Sequence, residues 1–284
     1  MFLSLLHVNV ANDAGRNWLG DVYRVHQRLW MAFPDNEGRA ADPFFLGAWD
    51  GPALADPKPQ RRAAGFLFRI ERDGRARILV QSAERPDWKY AFQNAPYLLA
   101  KDKGPQVHEI DPAPRIEHNY RFRLLANVVK PKSVVHPSGK MRMTRGGVSI
   151  AVRKRTEVPI FPIQLPEILP VDRSEREQLL HARWEPWRNW LQAIGADRGF
   201  GVIDDRAAPL LMQGVHLFVR KKTGRGHEAN QKQSIDRRFN AGLFEGLLVC
   251  TDQDRLRSAI IDGVGHSKAF GFGLLSIAPA AASS

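Results

Sequence analysis

Apolar and polar residues along the first half of the chain follow the periods of strands and helices. The helical stripe from Val22 to Phe33 begins after Asp21, which can cap it. An Asp-Gly pair between two apolar runs predicts a hairpin turn, and residues 34–62, rich in Pro, Gly, Asp and Ala, predict a long loop. The predicted order is strand, helix, strand, strand, helix and strand, at Phe2–Val10, Asp21–Phe33, Gly65–Glu71, Arg75–Ser82, Asp87–Ala100 and Gln106–Ile110.

The second half repeats this order after a Pro-rich linker at residues 111–114. A capping box of Ser174 and Glu177 opens a helix in which Pro186 predicts a break. The strand that follows residue 242 is expected to be separate from the one before it, because Asn-Ala-Gly indicates a turn. The predicted elements lie at Tyr120–Val128, Ser174–Gly195, Val215–Lys222, Gln231–Phe239, Leu243–Cys250, a helix from Thr251 to Gly263 or Gly265, and Phe270–Ile277.

Two βαββαβ units fit this order, so the predicted fold class is α+β with two tandem ferredoxin-like domains, at residues 1–112 and 113–284. The same topology underlies the RNA recognition motif, in which the open face of the sheet can bind RNA.

Composition points to a polyanionic partner. Lys and Arg number 42 against 30 Asp and Glu, which gives a net charge of +12, and the pI is near 10.2. This balance makes nucleic acid the first partner to consider and an anionic membrane surface the second. The alternative is a basic protein without a polyanionic partner. Nothing approaches 18 consecutive apolar residues, so we expect no membrane span. The single cysteine, Cys250, lies in an apolar run and is expected in the core of a cytoplasmic protein.

Tyr23 and His26 are three residues apart on the first long helix and share its flank at the border of core and solvent. An imidazole at such a border is expected to keep a pKa near its solution value and can transfer protons near pH 7. The alternative is a side chain that only completes the edge of the core.

Four glycines among apolar residues mark the segment from Gly263 to Leu275. Exposed backbone amides there, together with Lys268, could hold a phosphate. The alternative is a helix end followed by a tightly packed strand. The spacing matches neither a Walker A loop nor a dinucleotide fingerprint.

Basic residues recur in the second half in clusters that favour a groove for phosphates over a randomly charged surface. The candidates for RNA binding are Lys130, Lys132, Lys140, Arg142, Arg220, Lys221 and Lys222. The histidines show no metal-ligand spacing, and no cofactor motif is present, so we expect neither a metal nor a cofactor. A nuclease of this kind could use the ribose 2′-hydroxyl as its nucleophile, with a histidine moving protons, and would then act only on RNA.

The chain resembles the CasE family of CRISPR RNA-processing endoribonucleases, which belongs to the subtype I-E Cascade system and the RAMP superfamily. The matching motifs keep the family's order along nearly the whole chain. They are residues 21–26 with their Tyr-x-x-His, Arg85–Trp88, Tyr120–Asn127, Ser138–Lys140, Leu243–Gly246 and Gly263–Pro279.

The resemblance implies a metal-independent enzyme that cuts at the 3′ base of the repeat hairpin and leaves 5′-hydroxyl and 2′,3′-cyclic phosphate ends. It also implies RNA and other Cascade subunits as partners, with no membrane. The catalytic histidine of the family falls on His26 and its tyrosine on Tyr23. Some relatives have a basic residue where this chain has Trp30 and Met31, so Arg28 or Lys268 is the candidate to replace it.

Two other functions remain open from the sequence. A non-cleaving hairpin-binding protein would need the basic groove but not His26. A scaffold subunit without an RNA site would assemble in a way that does not depend on the salt concentration.

Overall fold

The computed structural model describes residues 1–33, 65–72, 74–135, 141–143, 149–151, 153–222 and 234–280. The predicted loop at 34–62 lies outside the described residues.

The first half is a four-stranded antiparallel sheet with helices on one face. Strands β1 to β4 are Phe2–His7, Phe66–Glu71, Arg77–Ser82 and Gln106–Glu109. Helices α1 to α3 are Asp13–Gly20, Val22–Trp30 and Trp88–Phe92, and a 3₁₀ helix covers Pro96–Leu98. The strand order β2-β3-β1-β4 is that of a ferredoxin-like unit.

The second half repeats the arrangement with an insertion. Strands β5 to β9 are Asn119–Asn127, Val129–Val135, Met141–Met143, Ser149–Ala151 and Arg153–Pro159. The later elements are α4 Arg173–Arg183, α5 Glu185–Asp197, β10 Phe200–Ile203, β11 Leu211–Lys222, β12 Ser234–Cys250, α6 Gln253–Asp262, a 3₁₀ helix Lys268–Phe270 and β13 Leu275–Pro279.

The strands of the second sheet lie in the order β10-β12-β5-β13, with β11 also paired to β12. Strands β6 and β9 pair only with each other in the described part of the chain, and so do β7 and β8. The second βαββαβ unit is therefore confirmed, with the β6–β9 region inserted after its first strand.

The structure differs from the predicted elements at several places. Helix α4 is capped by Asp172, which accepts a hydrogen bond from the Glu175 amide, and not by the predicted Ser174–Glu177 box. The last strand, predicted at Phe270–Ile277, is Leu275–Pro279, because the Gly-rich segment forms a 3₁₀ helix at Lys268–Phe270.

Helix α1 was not predicted, and Asn12 caps it by accepting a hydrogen bond from the Gly15 amide. The short strand β10 was not predicted. The expected turn at residues 240–242 is absent, because β12 runs unbroken as Ser234–Cys250. A glycine occupies position 242 of that strand, and a larger residue would clash there, because an added Cβ would lie 2.7 Å from the Phe244 ring.

Each half has its own core. Phe68, Val80 and Leu29 belong to the first and Phe244 and Trp187 to the second, all at most 2% exposed. Full burial of one such side chain contributes about 1.5–3 kcal/mol. Cys250 is buried, as predicted, and burial raises the pKa of its thiol.

The other faces of the two sheets meet between the halves. On the first sheet, Gln81 donates through Nε2 to the Ile260 carbonyl at 2.6 Å. The buried Arg69 donates through Nη1 to the carbonyls of Arg123 and Leu274, each at 3.1 Å. This packing buries sheet surface that an RNA recognition motif leaves open for RNA.

Candidate active site

Helix α2 carries both candidate catalytic side chains. The Asp21 carboxylate caps it by accepting hydrogen bonds from the amides of Tyr23 at 3.1 Å and Arg24 at 3.3 Å. The predicted stripe is confirmed, since Val25 and other apolar residues along it are buried against the first sheet. Tyr23 and His26 lie on the flank of this stripe and are partly buried.

The His26 ring lies against aromatic side chains of β2. Its centroid is 5.1 Å from that of Phe66, with an interplanar angle of 24°, and 6.1 Å from that of Phe68. Trp30 lies 6.1 Å away on the same helix. Among the described residues, His26 Nδ1 is buried without a hydrogen-bond partner.

This aromatic cover changes the acid–base properties of His26. Burial lowers the pKa of the imidazole to about 4, since a charged ring would lose its hydration there. The expectation of a pKa near the solution value is therefore wrong, because β2 covers the ring. Near pH 7 the group is neutral and can accept a proton rather than donate one.

Tyr23 lies where the two halves meet. It packs against the cluster formed by the second-half residues Leu125, Phe239, Ala241 and Phe272. Its position is thus fixed by elements that are more than a hundred residues away in the sequence.

The Gly-rich segment packs beside α2. It is held by two backbone hydrogen bonds, from the Val264 amide to the Gly273 carbonyl at 2.8 Å and from the Gly273 amide to the Leu125 carbonyl at 2.8 Å. An added Cβ on Gly271 would lie 3.2 Å from the ring of Phe68, the residue that stacks on His26. The glycines therefore permit close packing next to the candidate site.

Lys268 stands in the 3₁₀ helix of this segment and donates to the carbonyl of Asp262. Burial lowers the pKa of its ammonium group. Its contact with a phosphate stays a prediction, and in this structure the ammonium group is held at the last residue of α6.

Arg28 is placed away from the surface. Its side chain is buried, and Nη1 donates to the Ala91 carbonyl at 3.1 Å, which ties α2 to the end of α3. Burial lowers the pKa of its guanidinium group. This placement counts against the expectation that Arg28 contacts RNA, because the group would have to leave the core to reach a phosphate.

The other basic candidates lie on the second half. Lys130 and Lys132 are exposed on β6, Arg142 lies on β7, and residues 220–222 end β11. Lys140 lies outside the described residues.

Sequence reasoning did not identify Phe66 and Phe68 as neighbours of His26. The signal was present, since alternate residues of a strand share one face and both phenylalanines therefore point to the same side of β2. Which helix would cover that side could not be read from the strand alone.

Within the described ranges, no three or more His, Cys, Asp or Glu side chains are grouped to hold a metal ion. In the same ranges, no helix combines the length and the apolar character that a membrane crossing requires.

Comparison with known proteins gives consistent matches over nearly the whole chain. A family model described as "CRISPR associated protein" matches residues 1–279. The CRISPR-associated endoribonuclease Cse3 of Thermus thermophilus is 25% identical, and the alignment covers 98% of this chain and 100% of Cse3. The Cascade subunit CasE of Escherichia coli is 23% identical, with 93% of this chain and 95% of CasE covered.

Two solved structures share the fold. Cse3 bound to a 19-nucleotide RNA superposes with a TM-score of 0.56 at 24% identity and covers 98% of this chain and 100% of its own. Thermus thermophilus Cse3 bound to an RNA that represents a pre-cleavage complex gives a TM-score of 0.53 at 23% identity, with 98% of both chains covered. The predicted α+β fold of tandem ferredoxin-like units is confirmed.

Proposed function

The chain belongs to the family of CRISPR-associated proteins, and we propose that it is an endoribonuclease that binds the hairpin of a CRISPR repeat and cuts precursor CRISPR RNA at the 3′ base of the stem. The proposal is supported by the names of the relatives, an endoribonuclease and a Cascade subunit, and by the RNA bound in the similar structures. The high net charge of +12 fits a polyanionic substrate.

The observation that carries the proposal is the placement of His26. A neutral imidazole lies beside Tyr23 on α2, where that helix packs against the Gly-rich segment and the second half. A proton acceptor at a junction of two halves suits a reaction in which the protein positions a flexible strand and removes one proton.

The proposed reaction needs no metal. The 2′-hydroxyl on the 5′ side of the cut attacks the adjacent phosphorus, a 2′-O–P bond forms, and the P–O5′ bond breaks. His26 takes the proton of the 2′-hydroxyl, and the leaving 5′-oxygen takes a proton from water or from Tyr23. The products are a 2′,3′-cyclic phosphate and a 5′-hydroxyl end. Lys268 and the amides of the Gly-rich segment are the candidates to stabilise the charge on the phosphate.

We further propose that the protein stays on the cut hairpin as a subunit of a Cascade assembly in the cytoplasm. This follows the assignment of its relative as a Cascade subunit. In this role each enzyme molecule cuts one RNA and keeps the product, so tight binding of the product is no disadvantage.

The test is incubation of the pure protein with the host's CRISPR repeat RNA in EDTA, followed by analysis of the ends. We expect one cut at the 3′ base of the stem, a 5′-hydroxyl on one fragment and a cyclic phosphate on the other. Binding without any cut, in EDTA and in magnesium, would instead support a non-cleaving hairpin-binding protein. A cut that requires magnesium would refute the metal-free reaction.

A further inference from the structure

Two β-ribbons start at the same end of the second sheet. Strand β5 ends at Asn127, which stands opposite Ala241 of β12. Beyond this point residues 234–240 of β12 continue, paired with β11. Strand β6 begins two residues after Asn127 and pairs with β9, from Val129 opposite Pro159 to Val135 opposite Arg153. We call the β6–β9 pair the basic ribbon.

Two buried tryptophans of α5 fix the base of the basic ribbon. Trp187 donates through Nε1 to the Ile160 carbonyl at 2.8 Å, and Trp190 donates through Nε1 to the Val129 carbonyl at 3.1 Å. The Ile160 amide also donates to the Val128 carbonyl at 2.9 Å. Because both strands are held where they leave the core, the ribbon has a defined starting position.

This base adjoins the Gly-rich segment. Asn127 forms an antiparallel bridge with His266, and its Nδ2 donates to Ser267 Oγ at 3.1 Å. An added Cβ on Gly265 would lie 3.8 Å from the ring of Trp190. An RNA held at the candidate active site would therefore lie close to the start of the ribbon.

The ribbon is strongly basic in sequence. Its two strands carry five Lys or Arg residues and one acidic residue, Glu157. The side chains of Lys130 and Lys132 are exposed. At about 3.3 Å per residue, strands of this length span roughly 23 Å. Phosphates would be attracted to this excess of positive charge along the ribbon.

The sequence of the ribbon favours a duplex over a single strand. Neither β6 nor β9 contains Phe, Tyr or Trp. Proteins that bind single-stranded RNA stack its bases on aromatic side chains, whereas double-stranded RNA is recognised by its shape and its phosphates. A basic ribbon without aromatic residues fits the second mode.

We propose that the basic ribbon is an RNA-binding arm that holds the double-stranded stem of the substrate through its phosphates and acts in binding, not in the cleavage step. This inference rests on the proposed function and names a second contact region for the same RNA, separate from the long β11–β12 hairpin.

The test compares a Lys130→Ala/Lys132→Ala variant with a matched control, Lys89→Ala/Lys101→Ala, which removes two exposed lysines from the first half. Affinity is measured by fluorescence anisotropy over a range of salt, on a repeat hairpin with a 2′-deoxy sugar at the cut. Each lost phosphate contact should lower the slope of log K against log salt by about 0.7–0.9, while the control keeps the wild-type slope. The control variant should also keep the single-turnover cleavage rate of the wild-type protein.

A second RNA of the same length, with the 3′ arm of the stem scrambled so that no duplex forms, separates stem from single strand. We expect the ribbon variant to lose affinity for the hairpin and little for this RNA. Equal losses on both would overturn the assignment to the stem, and a wild-type slope on the hairpin would overturn the arm itself. Failure of the wild-type protein to cleave the natural hairpin would count against the proposed function and not against the ribbon.

Discussion

The imidazole of His26 stacks on the phenyl ring of Phe66, with the ring centroids 5.1 Å apart and the planes inclined by 24°. The two residues come from α2 and β2, so the fold of the first half creates the pair. The stack limits the directions in which the imidazole can turn and excludes water from one of its faces. A pre-oriented neutral base is what removal of a proton from a ribose hydroxyl requires.

The first prediction concerns His26 itself. His26→Ala should lower the single-turnover cleavage rate by about 10²–10⁴, the usual effect of losing one acid–base group, with little change in hairpin affinity. Tyr23→Phe should do less harm, since it keeps the ring that packs between the halves and removes only the hydroxyl. Cleavage by His26→Ala at the wild-type rate would contradict the assignment.

The second prediction concerns the pH dependence of cleavage. Because the pKa of His26 lies at about 4, the base form dominates at pH 5.5, and kcat/KM there should be within about twofold of its value at pH 7.5. An imidazole of ordinary pKa would keep only about one-tenth of its base form at pH 5.5. Phe66→Leu should move the acid limb of the profile to higher pH. A tenfold drop at pH 5.5 in the wild-type protein would argue against a buried base.

The third prediction concerns stability in acid. The lowered pKa means that unfolded protein takes up a proton on His26 before folded protein does. Stability is then complete above pH 6.5 and falls as the pH drops from 6.5 towards 4, by about 3 kcal/mol for this group. Denaturant unfolding at pH 7 and pH 4 should show that the free energy of unfolding decreases less for His26→Leu than for the wild-type protein between these two pH values. The exposed His108→Leu serves as control, and an identical loss in all three proteins would contradict the prediction.

Local patterns were sufficient to predict most strands and helices but not how they pack. The β2–β3 hairpin and the α4–α5 break before Pro186 follow from turn and proline chemistry. In β12, Gly242 pairs with Ala126 of β5 on one side and with Gly214 of β11 on the other, and these long-range pairings are not visible in any local pattern. The cap of α1 was missed because the polar group around Asn12 is equally typical of a turn.

For the candidate site, too, the sequence predicted positions along one helix but not the packing of other elements on it. Spacing along α2 placed His26 and Tyr23 together, since three residues apart on a helix are neighbours. The pKa of His26 and the burial of Arg28 depend on β2 and α3, whose packing on α2 is a tertiary property. For Arg28 the sequence showed only a cation on a helix, and the structure shows a hydrogen bond to Ala91.

The fourth prediction concerns the contact between the halves. Arg69 is 3% exposed and pairs with Glu71 at 2.9 Å while bonding to β5 and to Leu274 of the second half. Arg69→Ala should reduce the free energy of unfolding by about 1–3 kcal/mol, because two buried carbonyls lose their donor while Glu71 keeps Arg77 and Arg123 as partners. The exposed pair of Arg16 and Asp13 offers the control: Arg16→Ala should reduce it by less than about 1 kcal/mol. Similar effects of both changes on urea unfolding would contradict the buried role of Arg69.

The last prediction concerns the nucleophile. If the substrate's own 2′-hydroxyl attacks the phosphorus, the protein only has to orient the sugar in line with the leaving 5′-oxygen and accept one proton. A repeat RNA with a single 2′-deoxy sugar just upstream of the cut should then bind with unchanged affinity and stay intact, even in magnesium. Binding is retained because the phosphates, which carry most of the affinity, are all present. The matched control places the 2′-deoxy sugar one nucleotide downstream, where cleavage should proceed normally. Cleavage of the first RNA would show that the nucleophile comes from elsewhere, and the role of His26 as the base for the 2′-hydroxyl would have to be abandoned.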